Sequence, residues 1–379
     1  MIKKYLALSI IYLFNMLLPI KKNKIFLFSY YGSQFGCSPK YITEYILKTY
    51  PMDKYDLVWA FNNLNDKEHL SGIRKVKVMS LRYFYELCTS KIVITNFRTT
   101  DLFVKRKNQY YIQTWHSSLR LKQIEKDTEE TLQQNYIEMA KRDSLKCDLL
   151  LSGCEYSTKI FKRAFWYEGE ILECGTPAND LLFSNDMDFK NTVYKRLKIS
   201  TDYKLVLYAP TFRKESNISV YNLDFNGILS SLKQKFGGKW KLLLRLHPHL
   251  STESQKFNNS GDFLNVTLYD DVQELIRVSD VLVTDYSSVM FSFLLTKKPC
   301  FLYMPDLDNY LKNDRKLYFD IDELPFASAV TCFELLKNIT DFNEEDYKSR
   351  VLTMLNKINS FEDGNASKRL MYKIDKAIG

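Results

Sequence analysis

The chain reads as an α/β protein built from two Rossmann-like domains facing a cleft, and three observations predict it. Short apolar runs alternate with helical patterns along its 379 residues, which is the pattern of parallel sheets wrapped by helices. A polar, charged stretch at residues 183–201 separates two such series. Polar clusters repeatedly follow the ends of the apolar runs, and in folds of this kind ligands bind at the carboxyl ends of strands.

In order along the chain, Lys24–Tyr30, Asp56–Ala60, Lys91–Thr95, Tyr110–Thr114 and Asp148–Ser152 read as buried strands of the first half. Lys204–Ala209, Trp240–Leu246, Val281–Thr284 and Cys300–Tyr303 read as those of the second. Helical patterns lie between them, as at Lys40–Thr49 and Thr128–Lys146. The stretch Asn343–Gly379 is helical in pattern and is expected to cross back to the first half. The implied boundaries are 1–23 for an N-terminal helix, 24–185 and 186–345 for the two domains, and 346–379 for the returning segment. At the N-terminus, lysines flank the apolar stretch Tyr5–Ile20, which is shorter than the ~20 residues a spanning helix needs and is interrupted by Asn15 and Pro19. Two readings stand: a helix lying on the cytoplasmic leaflet, or a buried first helix. No small-residue cleavage site of a signal peptide precedes the next strand.

Composition narrows the function. The formal net charge of +9 suits a phosphorylated substrate or an anionic membrane surface. Zinc-finger spacing, RNA-binding aromatic signatures and basic heptads are missing, so nucleic acid is not an expected partner. Seven cysteines are scattered without a C-x-x-C pair, as in a reduced cytosolic protein. Neither a Walker P-loop, a G-x-G-x-x-G nor a G-x-S-x-G elbow is present.

The polar clusters carry the chemistry. Gly32 and Ser33 follow the first strand, Asn96 and Arg98 the third, and Trp115, His116 and Ser117 the fourth. In the second half Arg213, then Arg245 with His247 and His249, and then Thr284, Asp285, Ser287 and Ser288 do the same. Three of the four histidines thus lie just past strands, where an imidazole can move protons near neutral pH. Asp285, Ser287 and Ser288 open an amphipathic stretch, and a helix start favours anions. The plainer reading is that one of them merely caps that helix. His247 and His249 lack metal-ligand spacing, and Asp306-Leu-Asp308 after Pro305 reads as a turn rather than a metal motif.

Together the segments FSYYGSQFGCSPKYITEYIL, ITNFR, QTWHSSLRLKQIEKD, LYAPTFR, RLHPH, VTDYSSVMFSFLLTKKPCFLYMPDLDNY, LYFD and EDGNASKRL resemble the CDP-glycerol glycerophosphotransferase family of teichoic-acid primases and polymerases. The resemblance spans roughly residues 25–370. Departures fall at Ser117, where the family usually has glycine, at Ser38, and at Lys316. The resemblance implies a GT-B-like fold and transfer of glycerol phosphate from CDP-glycerol to a hydroxyl of a lipid-linked acceptor, with release of CMP. It implies His116 as general base and His247 as the group acting on the phosphoryl or the departing CMP. Thr284, Asp285, Ser287, Ser288, Arg213 and Arg245 would hold the donor. Gly32, Ser33, Asn96, Arg98, Trp115, Ser117, His249, Asp363 and Arg369 would lie toward the acceptor or cleft. No cofactor is required, although the sequence leaves room for a loosely bound divalent metal. CDP-ribitol is the alternative donor, and a non-catalytic membrane-surface binding protein is the alternative from another class. The expected location is peripheral, on the cytoplasmic face of the cell membrane.

Overall fold

The computed structural model describes residues 2–211, 213, 223–246, 259, 261–313 and 316–379. They form two compact units. The first holds residues 1–118, 124–183 and 360–379, and the second holds 119–123 and 184–359.

The first unit is built on seven parallel strands: β1 (Lys21–Phe28), β2 (Asp56–Phe61), β3 (Arg74–Lys77), β4 (Ser90–Thr95), β5 (Tyr110–Gln113), β6 (Leu149–Ser152) and β7 (Glu170–Glu173). Their order is β3-β2-β1-β4-β5-β6-β7, so the chain reverses direction across the sheet between β1 and β4. Strands covered on both faces need continuous apolar runs, and β1 shows why. Ile25 and Leu27 point into one buried cluster while Phe26 and Phe28 point into another. Helices α1 (Ile2–Leu17), α2 (Cys37–Thr49), α3 (Leu81–Thr89), α4 (Gln134–Lys146) and α5 (Glu155–Ala164) belong to this unit. The helix expected over Thr128–Lys146 is shorter than its pattern suggests. A 3-10 segment, Glu125–Thr131, precedes α4, and Thr128 leaves helical geometry at φ −135°.

The second unit has six parallel strands: β8 (Tyr203–Tyr208), β9 (Lys239–Leu244), β10 (Phe263–Asn265), β11 (Val281–Thr284), β12 (Cys300–Tyr303) and β13 (Ala327–Ala329). Their order, β10-β9-β8-β11-β12-β13, reverses between β8 and β11. Val206, Tyr208, Leu242, Leu244, Val281 and Val283 share one buried face. The helix Glu344–Ile358 lies in this unit, and residues 360–379, with the helix Ala366–Ile378, return to the first. The return is pinned by backbone. Phe361 N donates to Gly153 O, and Ala366 and Ser367 N–H groups donate to Asp180.

A candidate site at each strand-order reversal

In an open parallel sheet a crevice forms where the strand order reverses, just beyond the carboxyl ends. In the first unit that point lies between β1 and β4. The chain leaving β1 doubles back through Tyr30, Tyr31 and Gly32, at φ 44°, 53° and 85°. Gly32 has little alternative there, because a Cβ would sit 2.7 Å from Val78 Cγ2 and 3.2 Å from the Asn62 nitrogen. The doubled-back turn is joined to the loop after β4, since Tyr30 N donates to Asn96 Oδ1 at 2.9 Å. Ser33 Oγ donates back to Tyr30 O. The Asn96 Nδ2 group is a buried donor with no hydrogen-bond partner among the described residues.

The loop after β5 presents His116. Trp115 is buried at φ 53°, and its N–H donates to Gln113 Oε1 at 2.9 Å. Gln113 in turn donates to Phe97 O. The exposed His116 ring lies against the Trp115 ring, with centroids 4.4 Å apart, and its Nδ1 is 3.2 Å from Asn96 O. A carbonyl only accepts, so Nδ1 carries the hydrogen and Nε2 is the basic nitrogen. Ser117 beside it is half-buried.

Arg98 works beneath this loop rather than at the surface. It is 2 % exposed and bonds Asp143, Ser144, Glu125 and the Phe165 carbonyl at 2.8–3.3 Å. Its guanidinium sits 3.7 Å from the Phe165 ring centroid, and Phe165 meets Trp115 edge-on at 4.8 Å. Burial works to lower the Arg98 pKa, but Glu125 and Asp143 outweigh it and hold it above the ordinary arginine value. Asp363 and Arg369 pair with each other on the same unit, with Arg369 also donating to Cys174 O.

In the second unit the reversal lies between β8 and β11, and the two following loops are bound together there. Thr284 Oγ1 donates to Ala209 O at 2.7 Å. Asp285, 2 % exposed, accepts the Thr211 N–H at 2.8 and 3.0 Å and Arg213 Nη2 at 2.8 Å. Arg213 Nε also donates to Asp306 at 2.7 Å, and Tyr286 OH reaches the same carboxylate. Tyr286 and Tyr310 stack in parallel at 3.6 Å, with Arg213 about 5 Å from each ring. Burial pulls the Arg213 pKa down, yet the two carboxylates hold it above its ordinary value. Arg213 is thus a clamp joining the loops after β8, β11 and β12.

The helix start after Asp285 is only weakly capped. Its helix, Val289–Leu294, has Ser288 at the cap position with no capping bond from the side chain. Ser287 Oγ only accepts Val289 N at a long 3.4 Å, and both serines are half-buried. Arg245, after β9, donates to the carbonyls of Val266 and Tyr269. His247 and His249 lie outside the described residues. Among the described residues no group of His, Cys, Asp and Glu is placed to hold a metal.

Glu125, Asp143, Phe165, Tyr286 and Tyr310 are supports that sequence reasoning did not single out, and Asp306, read from the sequence only as part of a turn, is another. Asp306 carried a signal, since it follows the end of β12 as the other site residues follow theirs.

The profile of the CDP-glycerol:poly(glycerophosphate) glycerophosphotransferase family matches residues 10–376. The chain belongs to that family. It is 34% identical over 394 aligned positions to the teichoic acid glycerol-phosphate transferase of Staphylococcus aureus, covering 99% of each chain. It is 32% identical to the teichoic acid poly(glycerol phosphate) polymerase of Staphylococcus epidermidis, covering 95% of this chain and 51% of that one. The chain therefore spans nearly all of one relative and about half of the other. Among solved structures, a histidine variant of the wall teichoic acid polymerase TagF, soaked with CDPG, superposes with a TM-score of 0.86 at 30% identity. That match covers 99% of this chain and 97% of that one. This family member thus has the GT-B-like α/β fold of TagF, with a parallel sheet in each unit.

Proposed function

We propose that this transferase moves glycerol phosphate from CDP-glycerol to a hydroxyl of a membrane lipid-linked acceptor in teichoic acid synthesis. The family match over residues 10–376 carries the reading. The acceptor oxygen attacks the glycerol-bearing phosphorus, the bond to the CMP phosphate breaks, and the hydroxyl proton passes to His116 Nε2. A hydroxyl is a poor nucleophile at neutral pH, and a positioned base contributes roughly 10²–10⁴-fold. The bond from Nδ1 to Asn96 O suits that role because it fixes both ring orientation and tautomer. His247 is assigned to the transferring phosphoryl group or the departing CMP by its place in the family motif.

On the donor side, Ser287 and Ser288 supply hydroxyls to the pyrophosphate, since capping does not occupy the Ser288 side chain. Asp285 acts on the donor indirectly, because both its oxygens already hold Thr211 and Arg213. Arg213 likewise joins the loops more than it neutralises donor charge, because Asp285 and Asp306 hold its guanidinium. Fixed donors of this kind stabilise developing charge best where water is excluded.

The membrane reading draws on α1. Among the described residues no helix is long and apolar enough to cross a membrane. Ala7 and Ile11 of α1 are buried against the unit's core. Its other side exposes Tyr5, Leu6, Tyr12, Leu13, Met16 and Leu17, each between 47% and 74% exposed. Both sequence readings of this helix thus have a face, and an apolar outer face beside lysines suits an anionic leaflet. The location proposed is peripheral, on the cytoplasmic side. A donor panel tests the reaction: CMP release with CDP-glycerol and a lipid-linked acceptor is expected. Release only with CDP-ribitol would replace the donor, and release with neither would overturn the proposal.

A further inference from the structure

Gln113 ends β5 fully buried and faces Thr95 at the end of β4. Backbone bonding joins these two strand ends as far as Thr114, whose N–H donates to Thr95 O at 2.8 Å. Beyond it the Gln113 carboxamide spans the loops that follow. Its Nε2 donates to Phe97 O at 2.8 Å and to Tyr111 OH at 3.0 Å. Its Oε1 accepts the Trp115 N–H at 2.9 Å. The amide fits only one way round, because a backbone N–H only donates and a carbonyl only accepts. An uncharged planar group with a donor and an acceptor side by side is what Asn and Gln supply.

The two groups it holds stand next to the base. Phe97 directly follows Asn96, whose carbonyl lies 3.2 Å from His116 Nδ1, and Trp115 directly precedes His116. Histidine and carbonyl belong to different loops, so the distance that fixes the tautomer depends on how those loops are set against each other. Trp115 also needs a hold of its own. Its φ of 53° is one that non-glycine residues rarely adopt, and its ring backs the imidazole at 4.4 Å. Tyr111 OH carries the network on to Asp143 at 3.2 Å, and Asp143 accepts the Thr99 N–H at 3.0 Å, which ties in the loop after β4 again.

We propose that Gln113 is a positioning residue for the transfer: its amide sets the two loops so that His116 keeps its hydrogen on Nδ1 and leaves Nε2 for the acceptor hydroxyl. The role of His116 as base rests on the transfer reading above; the tautomer does not. The test pairs NMR of the full chain, labelled in the histidine ring nitrogens, with CMP-release kinetics. The His116 signal is the one missing from His116→Ala. At a pH where the ring is neutral it should report the Nδ1–H tautomer in the parent. In Gln113→Met, which matches the amide in length and has neither its donor nor its acceptor, it should shift toward Nε2–H, the form an unrestrained imidazole favours. There kcat should fall roughly 10–100-fold, as for a reacting group misplaced by about 1 Å, with the KM for CDP-glycerol within about threefold. Gln113→Asn keeps the amide but is one methylene short of spanning both loops. It serves if Gln113→Met does not fold, and should lose at least about fivefold in kcat. In a His116→Ala background either variant should change residual release by less than about threefold, because the residue acts through the base. An Nε2–H tautomer in the parent, an unshifted tautomer or parent-like kcat in a folded variant, or a further tenfold loss in the His116→Ala background would overturn the role. A variant-sensitive Nδ1–H tautomer without CMP release from any donor would leave the positioning of the ring standing and remove the transfer reading.

Discussion

Replacing Asp285 with alanine separates a structural clamp from a direct donor contact. The carboxylate is 2 % exposed and holds both the Thr211 N–H and the Arg213 guanidinium. Its loss removes one charge-assisted bond, worth about 1.5–3 kcal/mol, and strands a backbone N–H at a cost of about 1–3 kcal/mol. Arg213 keeps Asp306, so the penalty stays below that of a fully orphaned buried charge. The second unit should therefore lose about 3–5 kcal/mol. Asp285→Asn should lose about 2–4 kcal/mol, because one amide oxygen cannot serve both donors and the new NH₂ faces one of them. Urea unfolding followed through Trp240, the tryptophan of that unit, reads the change. A double-mutant cycle with Arg213→Met isolates the pair, and coupling of at least ~1 kcal/mol is expected. A loss under ~1 kcal/mol in Asp285→Ala, or zero coupling, would refute the clamp and return Asp285 to the donor.

Three further outcomes follow from the same contacts. Arg98→Ala should cost the first unit about 3–5 kcal/mol in urea unfolding, because it leaves Glu125 and Asp143 buried without their cation. Arg98→Lys should not restore it, since an ammonium cannot span both carboxylates and lie flat on Phe165. Burial raises the Glu86 carboxyl, but Arg74 and Lys24 outweigh it and hold it at about 2. Against an unfolded value of ~4.3, its contribution of about 3 kcal/mol is complete above that value and lost as pH falls through about 2. Glu86→Gln should flatten that acid limb of the stability profile. Leu13→Glu with Met16→Glu, both on the outer face of α1, should weaken sedimentation with anionic vesicles at least fivefold; unchanged binding would remove α1 as the membrane contact.

What the sequence disclosed, and what it hid, have separate physical causes. The central strands were legible because both faces are covered, which demands unbroken apolar runs such as Ile25–Phe28. Edge strands were not: Arg74–Lys77, Glu170–Glu173 and Ala327–Ala329 are short and charged or small, as edges that avoid pairing tend to be. The site positions were legible as polar residues following strand ends. Their partners were not, because Arg213 meets Asp285 and Asp306 across 72 and 93 residues of chain. Arg98 looked like a ligand contact for the same reason, since nothing local announces the carboxylates of Glu125 and Asp143 around it.

The most direct test of the transfer chemistry is CMP release from CDP-glycerol by the full chain and its His116→Ala variant, with a lipid-linked acceptor at saturation. With His116 as the base, kcat should fall by roughly 10²–10⁴-fold while CDP-glycerol affinity stays within about threefold. A His116→Ala enzyme that keeps kcat within about threefold of the parent would contradict it.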